Sequence, residues 1–240
     1  MNQDTSPALG VEDKNVPIWI HKWKTILKFH EPIKGTNIIP CKVPLDSKFS
    51  YLCNKYDNFY NLDGLLTSLN AEGKKVKMIV DLNQSTYYYN ASLFPEDKRI
   101  VIFDKNLKKT TRKDITEELW RNEQFEDMHS ELTKDITYVK APLSIKKSTF
   151  DQPPWLKAIF DVLDQSVLVS NPDDEDTETR DFEYYILVHC FHGINRTGSV
   201  LATYLTKKLG VEMKEAIYLF ESARLHKMEY SFTYKSLMNL

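Results

Sequence analysis

Residues 184–209 run from a strand-like segment directly into a helix-like segment, and the short link between them restricts the fold most. Tyr184 to Val188 are aromatic and aliphatic, which predicts a buried strand. Thr197 to Leu209 contain good helix formers and no proline, and Gly210 follows where a helix C′ residue is expected. The link from Cys190 to Arg196 is therefore predicted to be a strand-to-helix turn.

The remaining sequence alternates strand-like and helix-like runs. Strands are predicted at 75–82, 98–103 and 136–143, and helices at 58–74, 150–168, 211–227 and in the last ten residues. This alternation predicts an α/β fold with a central, mostly parallel sheet flanked by helices, in which ligands bind at the carboxyl ends of the strands. The proline-punctuated residues 16–45 are predicted to be an irregular segment that ends in a loop between Pro40 and Pro44.

Composition and charge limit the possible class of protein. With 240 residues, 42% of them apolar, the chain is long enough for one domain with a substantial core. We predict a single domain at 16–240, a disordered segment at 1–15, a charged insertion at 104–135 and an acidic loop at 171–181. A net charge of -2 excludes an overall basic surface of the kind that binds nucleic acid, so any anion-binding site must be local.

The cysteine pattern and the absence of long apolar runs indicate the compartment. The three cysteines have neither metal-ligand spacing nor a disulfide framework, which is typical of a reducing environment. The sequence has no apolar signal core and no run of membrane-spanning length. We expect a soluble monomer in the nucleus, the cytoplasm or both, with no membrane partner.

The turn combines the features that acidify a thiol and bind a tetrahedral anion. A free cysteine has a pKa of about 8.5, but a helix N-terminus, a nearby guanidinium and converging backbone N–H groups all favour the thiolate. Cys190 is predicted to have all three, with Arg196 as the guanidinium. The same groups bind phosphate, so Cys190 is the predicted nucleophile of a phosphoryl transfer to sulfur, followed by hydrolysis. The alternatives are a buried small residue and a non-catalytic binding site.

The other residues of the turn are predicted to support this chemistry. Thr197 would hydrogen-bond the thiolate or help to expel it, and Gly193 and Gly198 would let the backbone approach the anion. Asn195 would hold the loop, and His189 would buttress it rather than transfer protons. The predicted substrate-binding loop comprises His189, Phe191, His192, Gly193, Ile194 and Asn195. Because arginine and amides would bind the anion, no metal or cofactor is expected.

The sequence resembles the cysteine-dependent phosphatase superfamily, whose signature is His-Cys, five residues, Arg and Ser or Thr. "HCFHGINRTG" (189–198) is most similar to the branch that contains the RNA 5′-triphosphatase domains of metazoan capping enzymes, the baculovirus RNA phosphatase and the stand-alone RNA 5′-phosphatases related to dual-specificity enzymes. "IKGTNIIPCKVPL" (33–45), "VDLNQSTYYYN" (80–90), "YVKAPL" (138–143) and "FESAR" (220–224) resemble further segments of that branch.

The resemblance implies roles for residues outside the signature. It makes Lys42 a candidate contact to nucleotide phosphates, with a solvated loop lysine as the alternative. It gives Arg224 a role in supporting the site or touching substrate, with a surface salt bridge as the alternative. Protein phosphatases of the superfamily use a loop aspartate as general acid, and Asp151 occupies a plausible place, although a helix N-cap is the simpler interpretation.

Further side chains are predicted to form the substrate pocket. A polyphosphate end needs a cationic pocket, for which the candidates are Lys42, Lys140, Lys146 and Lys147. Tyr87 stands where the branch has an arginine, and the cluster of Tyr87, Tyr88 and Tyr89 would either stack a base or contribute at least one ring to the core.

Three functions follow from these observations. The first is an RNA 5′-polyphosphatase, a metal-independent hydrolase that acts on 5′-phosphorylated RNA and removes either the γ phosphate alone or the γ and β phosphates. The second is a dual-specificity or tyrosine protein phosphatase. The third is a binding module that covers 5′-phosphate ends without turnover. A pyrophosphate leaving group needs less protonation than an alkoxide, so the first function tolerates a missing general acid.

Overall fold

Five parallel strands form the central sheet of the computed structural model, which describes residues 18–52, 61–85, 87–102, 131–143, 154–170 and 182–229. The strands are β1 (Ile38–Lys42), β2 (Val76–Asp81), β3 (Arg99–Val101), β4 (Thr137–Lys140) and β5 (Tyr185–Cys190), in the order β1-β5-β2-β4-β3. All four pairings are parallel. The prediction of a mostly parallel α/β sheet is confirmed.

Helices and short 3-10 turns connect the strands. The α-helices are α1 (Ile18–Thr25), α2 (Leu62–Ala71), α3 (Pro154–Asp164), α4 (Asn195–Leu209) and α5 (Met213–Arg224), and the 3-10 turns are Ser47–Leu52, Ala91–Leu93 and Glu96–Lys98. Pro154 begins α3, where its missing N–H is not needed. Gly210 ends α4 with a φ of +71°, as its predicted C′ position requires. None of the helices within these ranges is long and apolar enough to span a membrane.

The predicted strands and helices that fall in the described ranges are confirmed, with ends shifted by a few residues. The prediction for residues 16–45 is wrong, because the segment contributes α1 and the edge strand β1. Pro40 lies inside β1, paired with Val188. An edge strand tolerates proline because its outer side needs no hydrogen-bond donor.

Apolar side chains cover both faces of the sheet. One cluster joins β2, β4 and β5 to α3, α4 and α5, and it includes Leu163, Leu201 and Phe220. The other joins β1 and the opposite side chains of β2 and β5 to α1 and α2, and it includes Trp23 and Leu66. The turn after β5 therefore starts between the ends of β1 and β2.

Several predictions concern residues outside the described ranges. They are the disordered segment at 1–15, most of the charged insertion at 104–135, the acidic loop at 171–181 and the helix in the last ten residues. The prediction of a single domain at 16–240 also stays a prediction.

Candidate active site

Cys190 ends the central strand β5, and only four residues separate it from the first residue of α4. The helix begins at Asn195, two residues earlier than the sequence predicts, so Arg196 lies in its first turn. The strand places the sulfur at the carboxyl edge of the sheet, where parallel α/β folds bind ligands. The predicted strand-to-helix turn is confirmed.

The loop surrounds the Cys190 sulfur with groups that stabilise negative charge. The side chain is only 3% exposed, and burial alone would raise its pKa. The charge of Arg196 and hydrogen bonds from the Thr197 hydroxyl and from the backbone N–H groups of Thr197 and Gly193 outweigh burial, so the pKa lies below its ordinary value. Apart from the sulfur, the buried Thr197 hydroxyl meets no hydrogen-bond partner among the described residues. The surroundings of Cys190 therefore favour the thiolate over the thiol.

Arg196 is anchored to the neighbouring strand. Its Nη1 donates to the backbone oxygen of Leu82, directly after β2, at 3.2 Å. A guanidinium has five N–H donors in a rigid fork, so this contact fixes the plane of the group and leaves donors for an anion. The side chain is half-buried, which makes its charge effective on the sulfur.

The thiol chemistry gives a first prediction, on alkylation by iodoacetamide. Because the thiolate is the reactive form, the alkylation rate rises with pH through the pKa of each thiol. We expect the midpoint for Cys190 to lie below that of an unperturbed thiol, and Thr197→Val to raise it. Buried Cys41, with its pKa raised to about 12, is the internal control and should stay unmodified.

This alkylation experiment is read by peptide mass spectrometry in a Cys53→Ser background, and the chain unfolded in urea supplies the reference midpoint. A Cys190 midpoint equal to that of the unfolded chain would contradict the proposed acidification.

Gly193 lets the loop pass directly over β1. Its φ is +66°, and a Cβ atom there would lie 1.9 Å from the backbone oxygen of Cys41. A Cβ on Gly198 would meet Met228 Sδ at 2.5 Å and the Phe220 ring at 2.6 Å. Both glycines are therefore required by protein packing, whereas the sequence suggested that they make room for the anion.

The close approach at Gly193 gives a second prediction. Gly193→Ala must displace the loop from β1, so we expect a loss of at least about 3 kcal/mol of stability, a Tm lower by roughly 10 °C and little residual activity. Gly73→Ala is the matched control, because Gly73 has a φ of +76° but nothing within 4 Å of the added Cβ. It should cost only about 1–2 kcal/mol of backbone strain. Equal Tm values for the two variants would show that the contact with Cys41 is unimportant.

Arg224 supports the loop from inside the protein. It is fully buried at the end of α5 and donates through Nε to the oxygen of Gly193 at 3.2 Å. Its Nη2 donates to the oxygens of Leu27 at 2.6 Å and His192 at 3.2 Å. These contacts hold the loop, and the full burial of Arg224 rules out the alternative of a surface salt bridge, whereas contact with substrate stays a prediction.

The His189 side chain is held by polar groups at the end of β5. Its ring is buried, with Nε2 2.9 Å from the Tyr89 hydroxyl and Nδ1 3.5 Å from Asn83 Nδ2. Burial is the main cause of a pKa below the ordinary value, so the imidazole is neutral at pH 7. Asn195 fixes the other side of the loop, since its Oδ1 accepts from the backbone N–H of Glu229 at 2.8 Å.

The structure corrects the predicted roles of two lysines. Lys42 is fully buried, and its Nζ donates to the oxygens of Trp23 and Ile26, both at 2.7 Å. Lys140 is also fully buried and pairs with Asp81 at 2.7 Å. Each lysine is the last residue of a strand and donates to buried oxygens of the protein, so neither is a pocket cation.

Asp81 was not identified from the sequence, although it lies at the end of β2, on the same edge of the sheet as the site. Its Oδ2 accepts from Lys140 and, at 2.8 Å, from the Tyr138 hydroxyl, and its Oδ1 is 3.8 Å from His189 Nδ1. Burial raises the pKa of Asp81, but the charge and hydrogen bond of Lys140 outweigh this effect and hold it below the ordinary value. The only feature of the sequence that could have identified Asp81 as part of the site is its position at the end of a predicted strand.

Of the remaining residues that the sequence predicts for the site, some lie within the described ranges of the structure and others lie outside them. Phe191 and Ile194 are buried, and the Phe191 ring lies 4.8 Å from that of Tyr88. Asp151, Lys146 and Lys147 lie outside the described residues. Within the described ranges, no group of three or more His, Cys, Asp and Glu side chains is arranged to hold a metal ion.

Comparison with known sequences shows which proteins the chain is similar to. Residues 175–240 match the family model of the dual specificity phosphatase catalytic domain. The chain is 26% identical over 230 residues to the human RNA/RNP complex-1-interacting phosphatase, covering 91% of this chain and 51% of that protein. A segment of 42 residues, 18% of this chain and 25% of the relative, is 57% identical to a tyrosine-protein phosphatase of Autographa californica nuclear polyhedrosis virus.

Among solved structures, the human tyrosine phosphatase-like serine/threonine/tyrosine-interacting protein aligns with a TM-score of 0.46 and 10% identity, covering 89% of this chain and 95% of that chain. A single-residue variant of human DUSP28 aligns with a TM-score of 0.44 and 11% identity, covering 88% of this chain and 92% of that chain.

A cysteine with a lowered pKa at the end of an inner parallel strand, followed by an arginine in the first turn of the next helix, is the arrangement of the cysteine-dependent phosphatases. Residues 175–240 carry the match to the dual specificity phosphatase catalytic domain, and the chain is homologous to RNA/RNP complex-1-interacting phosphatase and to baculovirus tyrosine-protein phosphatases. The recognition made from the sequence is confirmed. The chain spans about half the length of the RNA/RNP complex-1-interacting phosphatases that it matches.

Proposed function

We propose that the chain is a metal-independent RNA 5′-polyphosphatase, which removes the γ phosphate and then the β phosphate from 5′-triphosphorylated RNA. The observation that carries the proposal is the buried, acidified sulfur of Cys190, positioned beside the guanidinium of Arg196 and beneath the amides of Gly193 and Thr197. Such a cradle matches a terminal phosphoryl group in charge and shape.

The reaction proceeds in two displacements. The Cys190 thiolate attacks the γ phosphorus in line, so that an S–P bond forms and the bond from γ phosphorus to the bridging oxygen breaks. The bridging oxygen and its electron pair leave with the RNA, which then ends in a 5′-diphosphate. Water attacks the phosphocysteine, the S–P bond breaks, and the thiolate, inorganic phosphate and a proton are released. The hydroxyl of Thr197 stabilises the departing thiolate.

The leaving group explains why RNA ends suit this site. A diphosphate oxygen is a far better leaving group than the alkoxide of serine or threonine, so bond cleavage does not depend on a strong general acid. Arg196 and the loop amides stabilise the equatorial oxygens in both displacements. Asp151, the predicted general acid, lies outside the described residues and stays a prediction.

RNA as substrate is supported by the relatives and by the local nature of the anion site. The human relative is named for its interaction with an RNA/RNP complex, and its similarity covers nearly the whole of this chain. The net charge of -2 is compatible with recognition of one RNA end, because such recognition needs a local cradle rather than a basic surface. Recognition would therefore depend on the terminal phosphates more than on the length of the RNA.

Protein phosphatase activity is the second candidate, since the family model is that of dual specificity phosphatases and the viral relative is named a tyrosine-protein phosphatase. Both activities use the same cysteine and arginine, so the substrate decides between them.

Phosphate release from matched substrates tests the proposal. The purified chain is incubated in EDTA with RNA labelled at the γ or β phosphate, and separately with phosphotyrosine and phosphothreonine peptides at equal concentration. We expect release from RNA to exceed release from peptide at least tenfold in kcat/KM, with γ label released before β label. Cys190→Ser is the control for contaminating phosphatases. Faster release from peptide, or a requirement for added Mg²⁺, would overturn the proposal.

A further inference from the structure

A row of aromatic rings leads from the catalytic loop toward solvent. Phe191, directly after the nucleophile, packs against Tyr88 with ring centroids 4.8 Å apart. The Tyr88 ring lies 6.3 Å from that of Tyr87, which in turn lies 5.0 Å from Phe49 in an edge arrangement. Tyr87 is 55% exposed, whereas nearby Tyr89 is buried against His189. The row thus begins at the catalytic loop and reaches solvent at the ring of Tyr87, which the buried Phe49 supports from the side.

A positive charge lies at each end of this row. At the inner end, Arg196 is near enough to act on Tyr88, where its charge partly offsets the rise in pKa that burial causes. At the outer end, Lys48 is exposed, and its Nζ lies 4.8 Å from the centre of the Tyr87 ring. A cation beside an exposed aromatic ring is the usual composition of a surface that binds a single nucleic-acid strand.

We propose that Tyr87 and Lys48 form the subsite for the first nucleoside of the RNA, with the base stacked on Tyr87 and the following phosphodiester paired with Lys48. The inference rests on the proposed function and adds the group that distinguishes an RNA end from a free polyphosphate. Stacking uses the π face that every base has, so the subsite accepts all four bases.

The order of the rings favours a nucleoside over a phosphotyrosine side chain. Tyr87 is joined to the catalytic loop through Tyr88 and Phe191, so a group stacked on Tyr87 lies well away from the phosphorus atom. The ring of phosphotyrosine is bonded directly to its phosphate oxygen and would meet Phe191 and Tyr88 first. In a triphosphorylated end, two more phosphates and a ribose separate the γ phosphorus from the base.

Steady-state kinetics on two substrates test the subsite. We compare triphosphorylated 10-nucleotide RNA with inorganic tripolyphosphate, which presents the same anhydride without a base. We expect Tyr87→Ala to raise KM for RNA about tenfold with little change in kcat, and to leave KM for tripolyphosphate unchanged. Tyr87→Phe should restore the wild-type KM, because it keeps the ring. Lys48→Ala should raise KM for RNA and weaken its dependence on salt.

Tyr218→Ala is the matched control, because Tyr218 is 67% exposed but lies on α5. It should change neither KM. A binding measurement separates recognition from turnover. The fluorescence of RNA with 2-aminopurine as its first base should be quenched on binding to Cys190→Ser, and should not be quenched on binding to the double variant that also carries Tyr87→Ala. The same probe placed at the fifth base should report no such difference.

Each outcome has a distinct meaning. Unchanged KM for RNA in Tyr87→Ala overturns the subsite, and an equal loss with tripolyphosphate shows that Tyr87 acts on the loop instead. A larger loss with phosphotyrosine peptide than with RNA assigns the row to protein substrates and also overturns the subsite. Failure of the wild-type chain to release phosphate from RNA overturns the proposed function itself, which makes the two failures distinguishable.

Discussion

Cys190→Ser is expected to lower the rate of phosphate release from triphosphorylated RNA by roughly 10⁴-fold or more, the scale seen when a catalytic nucleophile is removed. The cradle that makes a thiolate at this position cannot ionise a serine hydroxyl, whose pKa is far higher. Binding should survive, because the loop amides and Arg196 remain in place. Phosphate release in single turnover and RNA binding by fluorescence anisotropy measure the two effects separately.

An acid quench identifies the intermediate directly. Wild-type protein mixed with γ-labelled RNA should retain label on the peptide that contains Cys190, and Cys190→Ser should retain none. Cys41→Ala is the control for the other buried thiol of the described core, and it should keep both the label and activity within a few fold of the wild type. Full activity in Cys190→Ser would contradict covalent catalysis by this residue.

Arg196→Lys is expected to lower kcat by roughly 10³-fold and to weaken binding, although it keeps the positive charge. An ammonium cannot present the rigid fork of donors that a guanidinium offers to phosphate. It also cannot keep the contact with Leu82 while it binds the anion, as the guanidinium does through Nη1. Phosphate-release kinetics measure the loss of kcat. The loss of affinity is measured by comparing RNA binding to Cys190→Ser and to the double variant Cys190→Ser, Arg196→Lys.

The pKa of Cys190 provides an independent readout for the same variant. The charge of Arg196 is the largest influence that opposes burial, so Arg196→Ala should raise the midpoint of Cys190 alkylation, and Arg196→Lys should raise it less. Lys207→Ala, an exposed cation at the far end of α4, is the control and should move neither kinetics nor midpoint. Wild-type kinetics in Arg196→Lys with an unmoved midpoint would contradict the assigned role.

The local sequence pattern was sufficient to predict most of the strands and helices that surround the site. β5 is a buried, largely apolar run, β2 is apolar apart from Lys77 and Asp81, and α4 ends at a glycine with positive φ. β1 was missed because Pro40 lies inside it and Pro44 follows it closely, a spacing that is typical of a loop. Only its position at the edge of the sheet, beside β5, makes a strand with an internal proline acceptable.

The sequence by itself determined the strand, turn and helix that bring Cys190 and Arg196 together, because those residues are neighbours in the chain and local geometry is enough to position them. Only the tertiary structure decided which other cations serve the substrate. Lys42, Lys140 and Arg224 are taken up by oxygens of the protein itself, several of them contributed by distant segments. A buried cation must find such partners, and they exist only after the chain has folded around it.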